Sequence, residues 1–310
     1  MTILVDATTR VAVQGITGYQ GRIETKLMLD YGTRVVAGTS PGRGGSEPVH
    51  GVPVFDTLRD AAAAHPFDAS IAYVPAAAVR DAALEALAAG SKLVLVPTER
   101  VPAADAAYIL AAARDAGARI VGPNTQGIIV PGVVRIGGPG GWTPEAIFAP
   151  GRVAVLSRSG GMAGELSWLL KRAGLGTSIQ VHTGGEALLG TGFADLLALL
   201  EDDPDTDAAV LFGERGGTYE EQAAELVAAG GFTKPLVAFV AGWYFEDASD
   251  EVQFGHSGNI LRGSAGTMAT KVAALRDAGV AVAEVLPDVP ELLRAALATT
   301  TTGAGRGGQR

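Results

Sequence analysis

Short runs of Val, Ile, Leu and Ala, apolar at nearly every position, alternate along this chain with Ala-rich stretches of helical character. The first runs fall at 10–14, 34–38, 69–74, 92–97 and 119–122. Helices are expected between them near 20–30, 57–64, 76–89 and 103–116. Strands apolar on both faces and joined by helices predict a buried parallel sheet in a doubly wound α/β domain. The pattern breaks over 123–152, a stretch dense in proline and glycine with little periodicity. A second series follows, with strands at 152–157, 177–183, 207–214, 235–241 and 281–284 and helices near 161–173, 191–201, 219–230, 264–278 and 288–298. The expected organisation is an α/β domain over 1–123, a connector over 124–151, a flavodoxin-type α/β domain of about five strands over 152–298, and a Thr/Gly-rich disordered tail over 299–310.

Composition narrows the function. Hydrophobic residues make up 47% of the 310 positions and charged residues 18%, which describes a well-buried globular protein. The net charge of −9, with no Lys/Arg block, argues against nucleic acid or an anionic membrane surface as a partner. There is no cysteine, so disulfides, thiolate metal sites and a cysteine nucleophile are excluded; no metal site is read. No basic segment followed by an apolar stretch opens the sequence, and no apolar run reaches the ~18 residues of a membrane span. A cytoplasmic location is expected.

Candidate chemistry sits at strand ends. The first strand runs into Gly15-Ile16-Thr17-Gly18-Tyr19-Gln20-Gly21, a strand–turn–helix corner whose backbone amides can approach a phosphate. Its glycine spacing differs from the dinucleotide fingerprint. The second strand ends without the carboxylate that a ribose diol needs, and the loop beyond it offers Arg43. Arginine there suits a phosphorylated ribose, so NADP and coenzyme A both qualify. Tyr73-Val74-Pro75 and Pro97-Thr98-Glu99 end the next strands on the same edge. In the second domain, Ser157-Arg158-Ser159-Gly160-Gly161 ends a strand and opens a helix. Gly213-Glu214 ends another, and His256 stands in Gly255-His256-Ser257-Gly258. A carboxylate beside an imidazole fixes its tautomer, and an imidazole nitrogen can carry a phosphoryl group. The serine segment lacks the Gly-x-Ser-x-Gly elbow of a serine hydrolase.

Taken in order, these segments resemble the alpha subunit of succinyl-CoA synthetase and related nucleoside-diphosphate-forming acid–CoA ligases. Ser40-Pro41-Gly42-Arg43-Gly44-Gly45, Gly51-Val52-Pro53-Val54-Phe55, Gly122-Pro123-Asn124 and Lys234-Pro235 extend the match to about residues 1–298. The resemblance implies a Rossmann-like coenzyme A-binding domain followed by a flavodoxin-like ligase domain. It assigns coenzyme A to Thr17, Gly18, Tyr19, Gln20, Arg43, Pro97, Thr98 and Glu99, with Arg43 where the family commonly has lysine. His256 matches the phosphorylated histidine and Glu214 the carboxylate that orients it. Ser159, Gly160, Gly164 and Asn124 fall on the substrate and phosphate side. ATP or GTP, with Mg2+, would be held mainly by a separate ATP-grasp beta subunit. A small carboxylic acid would be activated as an acyl phosphate and attacked by coenzyme A. His256 would carry the phosphoryl group between that chemistry and the nucleotide.

The departures cluster around the histidine and the acyl site. Thr125-Gln126 replace Cys-Pro, Gly164 replaces a tyrosine, and Gly184-Gly185-Glu186-Ala187 replace Gly-Gly-Asp-Pro. An acidic stretch, 246–251, precedes the histidine where the family is basic, and Ser257-Gly258-Asn259 follow it. These changes point to altered carboxylate specificity, so the acid expected is succinate or a related one, bulkier or more polar. A catalytically inactive coenzyme A-binding or regulatory subunit is the alternative; an NADP oxidoreductase is a third reading, lacking a proton-transfer pair at the cofactor corner.

Overall fold

The computed structural model describes residues 3–243, 256, 258 and 266–304, with side chains as far as 299. By contacts the chain divides into two compact units: 1–144 with 181–191, and 145–180 with 192–310.

In the first unit the order is β1 (Arg10–Gln14), α1 (Tyr19–Asp30), β2 (Arg34–Thr39), β3 (Val54–Phe55), α2 (Leu58–Ala64), β4 (Ala69–Ala72), α3 (Val79–Ala88), β5 (Leu93–Leu95), α4 (Ala103–Asp115) and β6 (Arg119–Val121). The strands form one parallel sheet in the order β3-β2-β1-β4-β5-β6. Val11, Ala12, Val13, Ile71, Ala72, Val94 and Leu95 are all buried, which is why these strands read as unbroken apolar runs. Alanines on α3 (Ala82, Ala83, Ala86) and α4 (Ala106, Ala113) let the helix backbones approach the sheet closely. The strand order reverses between β1 and β4, so the connections that leave their carboxyl ends run to opposite sides and leave a crevice.

The stretch expected as an irregular connector is partly regular. It carries β7 (Gly127–Val130) and β8 (Val134–Gly137), an antiparallel hairpin in the first unit with Ile128 opposite Ile136 and Val130 opposite Val134. Each strand is only four residues long, β7 beginning and β8 ending on a glycine, so neither offers the long apolar run that marks its neighbours. A short helix, α5 (Pro144–Ile147), follows.

The second unit contains β9 (Val153–Ser157), α6 (Gly160–Arg172), the start of β10 (Gln180–His182), α7 (Phe193–Glu201), β11 (Ala208–Glu214), α8 (Tyr219–Ala228), β12 (Leu236–Ala241), α9 (Met268–Asp277), β13 (Ala281–Val282) and α10 (Val289–Ala304). Its strands run β13-β12-β11-β9, parallel throughout, with β10 beside β9. Val155, Val210, Val237, Leu166, Leu170 and Leu293 meet in one core. The segment expected as a disordered tail begins inside α10, which Val289, Leu293 and Leu297 anchor to that core; the helix continues to Ala304. Residues 305–310 lie outside the described residues. Among the described residues no helix is long and apolar enough to cross a membrane.

β11 is the central strand of this unit, and Leu211 on it is fully buried. Leu211→Ala should lower unfolding stability by about 2–5 kcal/mol, read as a lower urea midpoint at unchanged slope.

Candidate functional site

In the first unit the loop after β1 turns at Gly15, whose φ of +75° places its missing side chain 2.2 Å from the Tyr73 carbonyl oxygen. Only glycine lets these two strand ends come so close. Thr17 is tied to the end of β2 by its Oγ1 donating to Ser40 Oγ at 2.9 Å. Gly18 is the extended residue that starts α1, and Tyr19, in its first turn, is 83% exposed. The amides of Gly15 and Ile16 donate to the Thr39 carbonyl, that of Thr17 to Ser40 Oγ and that of Gly18 to the Gly15 carbonyl, so the donors this corner presents are the first amides of α1, where the helix carries partial positive charge. Arg43 is exposed in the loop after β2, with its backbone held by Ser40.

Gln20, Pro97, Thr98 and Glu99 line one cavity of about 590 Å³, together with Tyr73, Val74, Thr125 and Gln126. Thr98 donates to the Val74 carbonyl at 2.7 Å, joining two strand ends into one wall. Asn124 is half-buried beside this wall, with φ +60° and its N–H on the Thr98 carbonyl at 3.0 Å. Gln126 donates its backbone N–H to His182 Nδ1 at 2.7 Å.

The cavity also has members that the sequence reading missed. Glu24 lines it at 9% exposure; Gln20 donates to its Oε1 at 2.9 Å, and buried Arg135 stands 3.5 Å from its Oε2. Burial is the largest influence on Glu24 and raises its pKa above the ordinary glutamate value, although Arg135 and Gln20 pull the other way. The Tyr73 hydroxyl is buried with no hydrogen-bond partner, and burial, then the Glu24 charge, push its pKa well up. Glu24 falls one helical turn after Gln20, and that i,i+4 spacing was the available sequence signal.

In the second unit Glu214 is the last residue of β11 and His256 is brought against it. The imidazole Nδ1 and Glu214 Oε2 are 2.8 Å apart, with side-chain exposures of 28% and 12%. A carboxylate accepts from Nδ1–H, which leaves the ring's lone pair on Nε2. That nitrogen is the nucleophile such a pair prepares. Gly255, Ser257, Asn259 and the acidic stretch lie outside the described residues. Just past the adjacent strand β9, Ser159 caps α6, its Oγ accepting from Met162 N at 3.5 Å. Gly160 opens that helix. Gly164 lies a turn further on, where an added Cβ would meet nothing nearer than Ile147 at 3.9 Å, so space stands where a side chain could be. Among the described residues no group of three or more His, Cys, Asp or Glu could hold a metal ion.

Two domain families match the chain: the CoA binding domain over residues 6–100 and the succinyl-CoA ligase like flavodoxin domain over residues 150–298. The ADP-forming succinate–CoA ligase subunit alpha 1 of Archaeoglobus fulgidus is 46% identical over 297 residues, 96% of this chain and 99% of its own length. The chain belongs to the succinate–CoA ligase alpha-subunit family. Within the family, an ADP-forming sulfoacetate-CoA ligase subunit of Bilophila wadsworthia is 40% identical, covering 96% of this chain and all of its own length. Among solved structures, the ATP citrate lyase of Methanosaeta concilii in complex with (3S)-citryl-CoA aligns at TM-score 0.89 and 28% identity over 99% of this chain. The family member described here spans about half of that longer protein, 52% of its length.

Because native Glu24 holds its proton more tightly than the unfolded chain does, its contribution to stability is fully present below the unfolded pKa. That contribution is lost as pH rises through the native value. Carbon-13 NMR of the Glu24 carboxyl should show a midpoint above that of an ordinary glutamate. Arg135→Met, which removes the favourable charge, should move it further up; a downward move would contradict the assigned cause.

Proposed function

We propose that the chain is the alpha subunit of a nucleoside-diphosphate-forming acid–CoA ligase. It would make an acyl-CoA from a small carboxylic acid, coenzyme A and ATP or GTP. The observation that carries this reading is the 2.8 Å contact between His256 Nδ1 and Glu214 Oε2. It supports an active phosphoryl carrier over an inactive regulatory subunit, because a decayed site has no need of a carboxylate holding the imidazole in one tautomer.

The first unit fits coenzyme A. The amides that open α1, at Tyr19 and Gln20, suit its phosphates, and Arg43 suits the 3′-phosphate on its ribose. The cavity walled by Gln20, Pro97, Thr98 and Glu99 has room for an extended pantetheine arm. Asn124, Ser159, Gly160 and Gly164 are assigned to the acid and to phosphate. ATP or GTP with Mg2+ is assigned to an ATP-grasp beta subunit, a partner of the kind that the subunit names of the relatives imply.

Phosphoryl transfer then proceeds in balanced steps. His256 Nε2 attacks the terminal phosphorus of the nucleoside triphosphate and the diphosphate leaves. The imidazolium so formed keeps its Nδ1 proton, and Glu214 offsets the positive charge. A carboxylate oxygen of the acid takes the phosphoryl group from Nε2, giving an acyl phosphate and returning neutral imidazole. The coenzyme A thiolate attacks the acyl carbon and inorganic phosphate departs. All steps run in reverse with the thioester.

The substrate class follows from the relatives. Succinate and sulfoacetate each carry a second anionic group close to the reacting carboxylate. We assign this chain an acid of that kind, with the space at Gly164 taking substituents that a tyrosine would exclude.

His256→Asn should abolish thioester formation in the complex with the beta subunit while leaving coenzyme A binding unchanged by calorimetry; residual turnover at the parent rate would contradict the carrier role. Arg43→Glu should weaken coenzyme A at least about tenfold, and unchanged affinity would remove Arg43 from the site.

A further inference from the structure

Glu214 does not hold its own position. It is the end residue of β11, still paired with Ala241 of β12 but past the end of the ladder with β9, and its backbone N–H is taken by the side chain of Glu220, Oε1, at 3.0 Å. Glu220 is fully buried at the start of α8, as is Lys271 on α9. Lys271 Nζ bonds the other oxygen of Glu220, Oε2. Its remaining donors go to Glu221 Oε2 at 2.9 Å and the Gly217 carbonyl at 3.0 Å, so all three ammonium hydrogens have acceptors. Gly213 makes room for this arrangement: a Cβ there would lie 2.6 Å from Glu220 Cγ. Thr267 caps α9 one turn before Lys271 and so sets the register that brings the ammonium under the strand end.

A buried ion pair is a poor source of net stability and is best explained by what it orients. We propose that Glu220 is a positioning residue for phosphoryl transfer, with Lys271 as its clamp. The Glu220 carboxylate fixes the backbone at Glu214 and thereby aims the Glu214 carboxylate at His256 Nδ1. Neither residue touches the imidazole. The chain of contacts runs from Lys271 to Glu220, to the Glu214 amide, and through the Glu214 side chain to the histidine. This role rests on the phosphohistidine reading of His256. The consequence for the imidazole tautomer does not, because the full chain shows it without substrate or partner.

Two double variants isolate the oxygen at position 220. Both Glu220→Gln with Lys271→Met and Glu220→Leu with Lys271→Met remove the two charges together, so neither strands a buried ion. Only the first keeps an acceptor for the Glu214 N–H. Nitrogen-15 NMR of labelled histidine should show the Nδ1–H tautomer at His256 in the parent and in the Gln/Met form, and a mixture of tautomers in the Leu/Met form. In the complex, the rate of phosphoryl transfer to His256 should fall at least about tenfold in the Leu/Met form, in kcat and not in KM for the acid, and much less in the Gln/Met form. Should the Leu/Met form not fold, the Gln/Met form decides alone: the parent tautomer supports the proposal and its loss in a folded protein overturns it. Two folded variants that behave alike also overturn it. A shift in tautomer with no change in transfer rate would leave the geometry standing and refute the phosphohistidine reading.

Discussion

A single hydrogen bond, from the imidazole of His256 to the carboxylate of Glu214 at 2.8 Å, is the constraint on which the proposed chemistry depends. An unpartnered imidazole exchanges its proton between two nitrogens and rotates. One held by a carboxylate presents the same lone pair on every cycle and tolerates the positive charge that phosphorylation brings. The sheet supplies the rigidity. Glu214 ends β11, which is paired on one side to β9 and on the other to β12. The end of such a strand is a fixed platform, and Glu220 and Lys271 hold that platform from below.

The first unit uses the same architecture for another purpose. Its sheet reverses order between β1 and β4, and the residues after those strands, Gly15 and Tyr73, meet at the opening. The first amides of α1 are presented at that opening, and a cavity lies beside them, with Gln20 in its wall. Glu24, Arg135 and the Tyr73 hydroxyl are buried polar groups grouped around that cavity. Buried polar groups are expensive unless they meet partners. A wall built this way can recognise the polar atoms of a bound molecule as well as its shape.

Most of the fold was legible in the sequence because parallel strands buried on both faces have no polar positions to break the run. Val153–Ser157 and Ala208–Glu214 fall where the apolar pattern predicts. The β7–β8 hairpin was not legible, since four-residue strands bounded by Gly127 at the start of one and Gly137 at the end of the other look like loop. Nor was the grouping of 181–191 with the first unit, because it depends on contacts such as Thr191 Oγ1 to the Ile120 carbonyl, 71 residues apart. Of the site, Glu214 and His256 could be found because each stands at a glycine-flanked strand end or loop. Glu220 and Lys271 could not. A glutamate in a first helical turn and a lysine inside a helix look like solvated charges until folding shows both fully buried.

The most direct test is phosphorus-31 NMR of the protein after incubation with the beta subunit, ATP and Mg2+. The account predicts one acid-labile phosphoryl group, on Nε2 of His256, that disappears when the carboxylic acid and coenzyme A are added. A phosphoryl group on Nδ1, on a serine or threonine, or on no residue at all would contradict it.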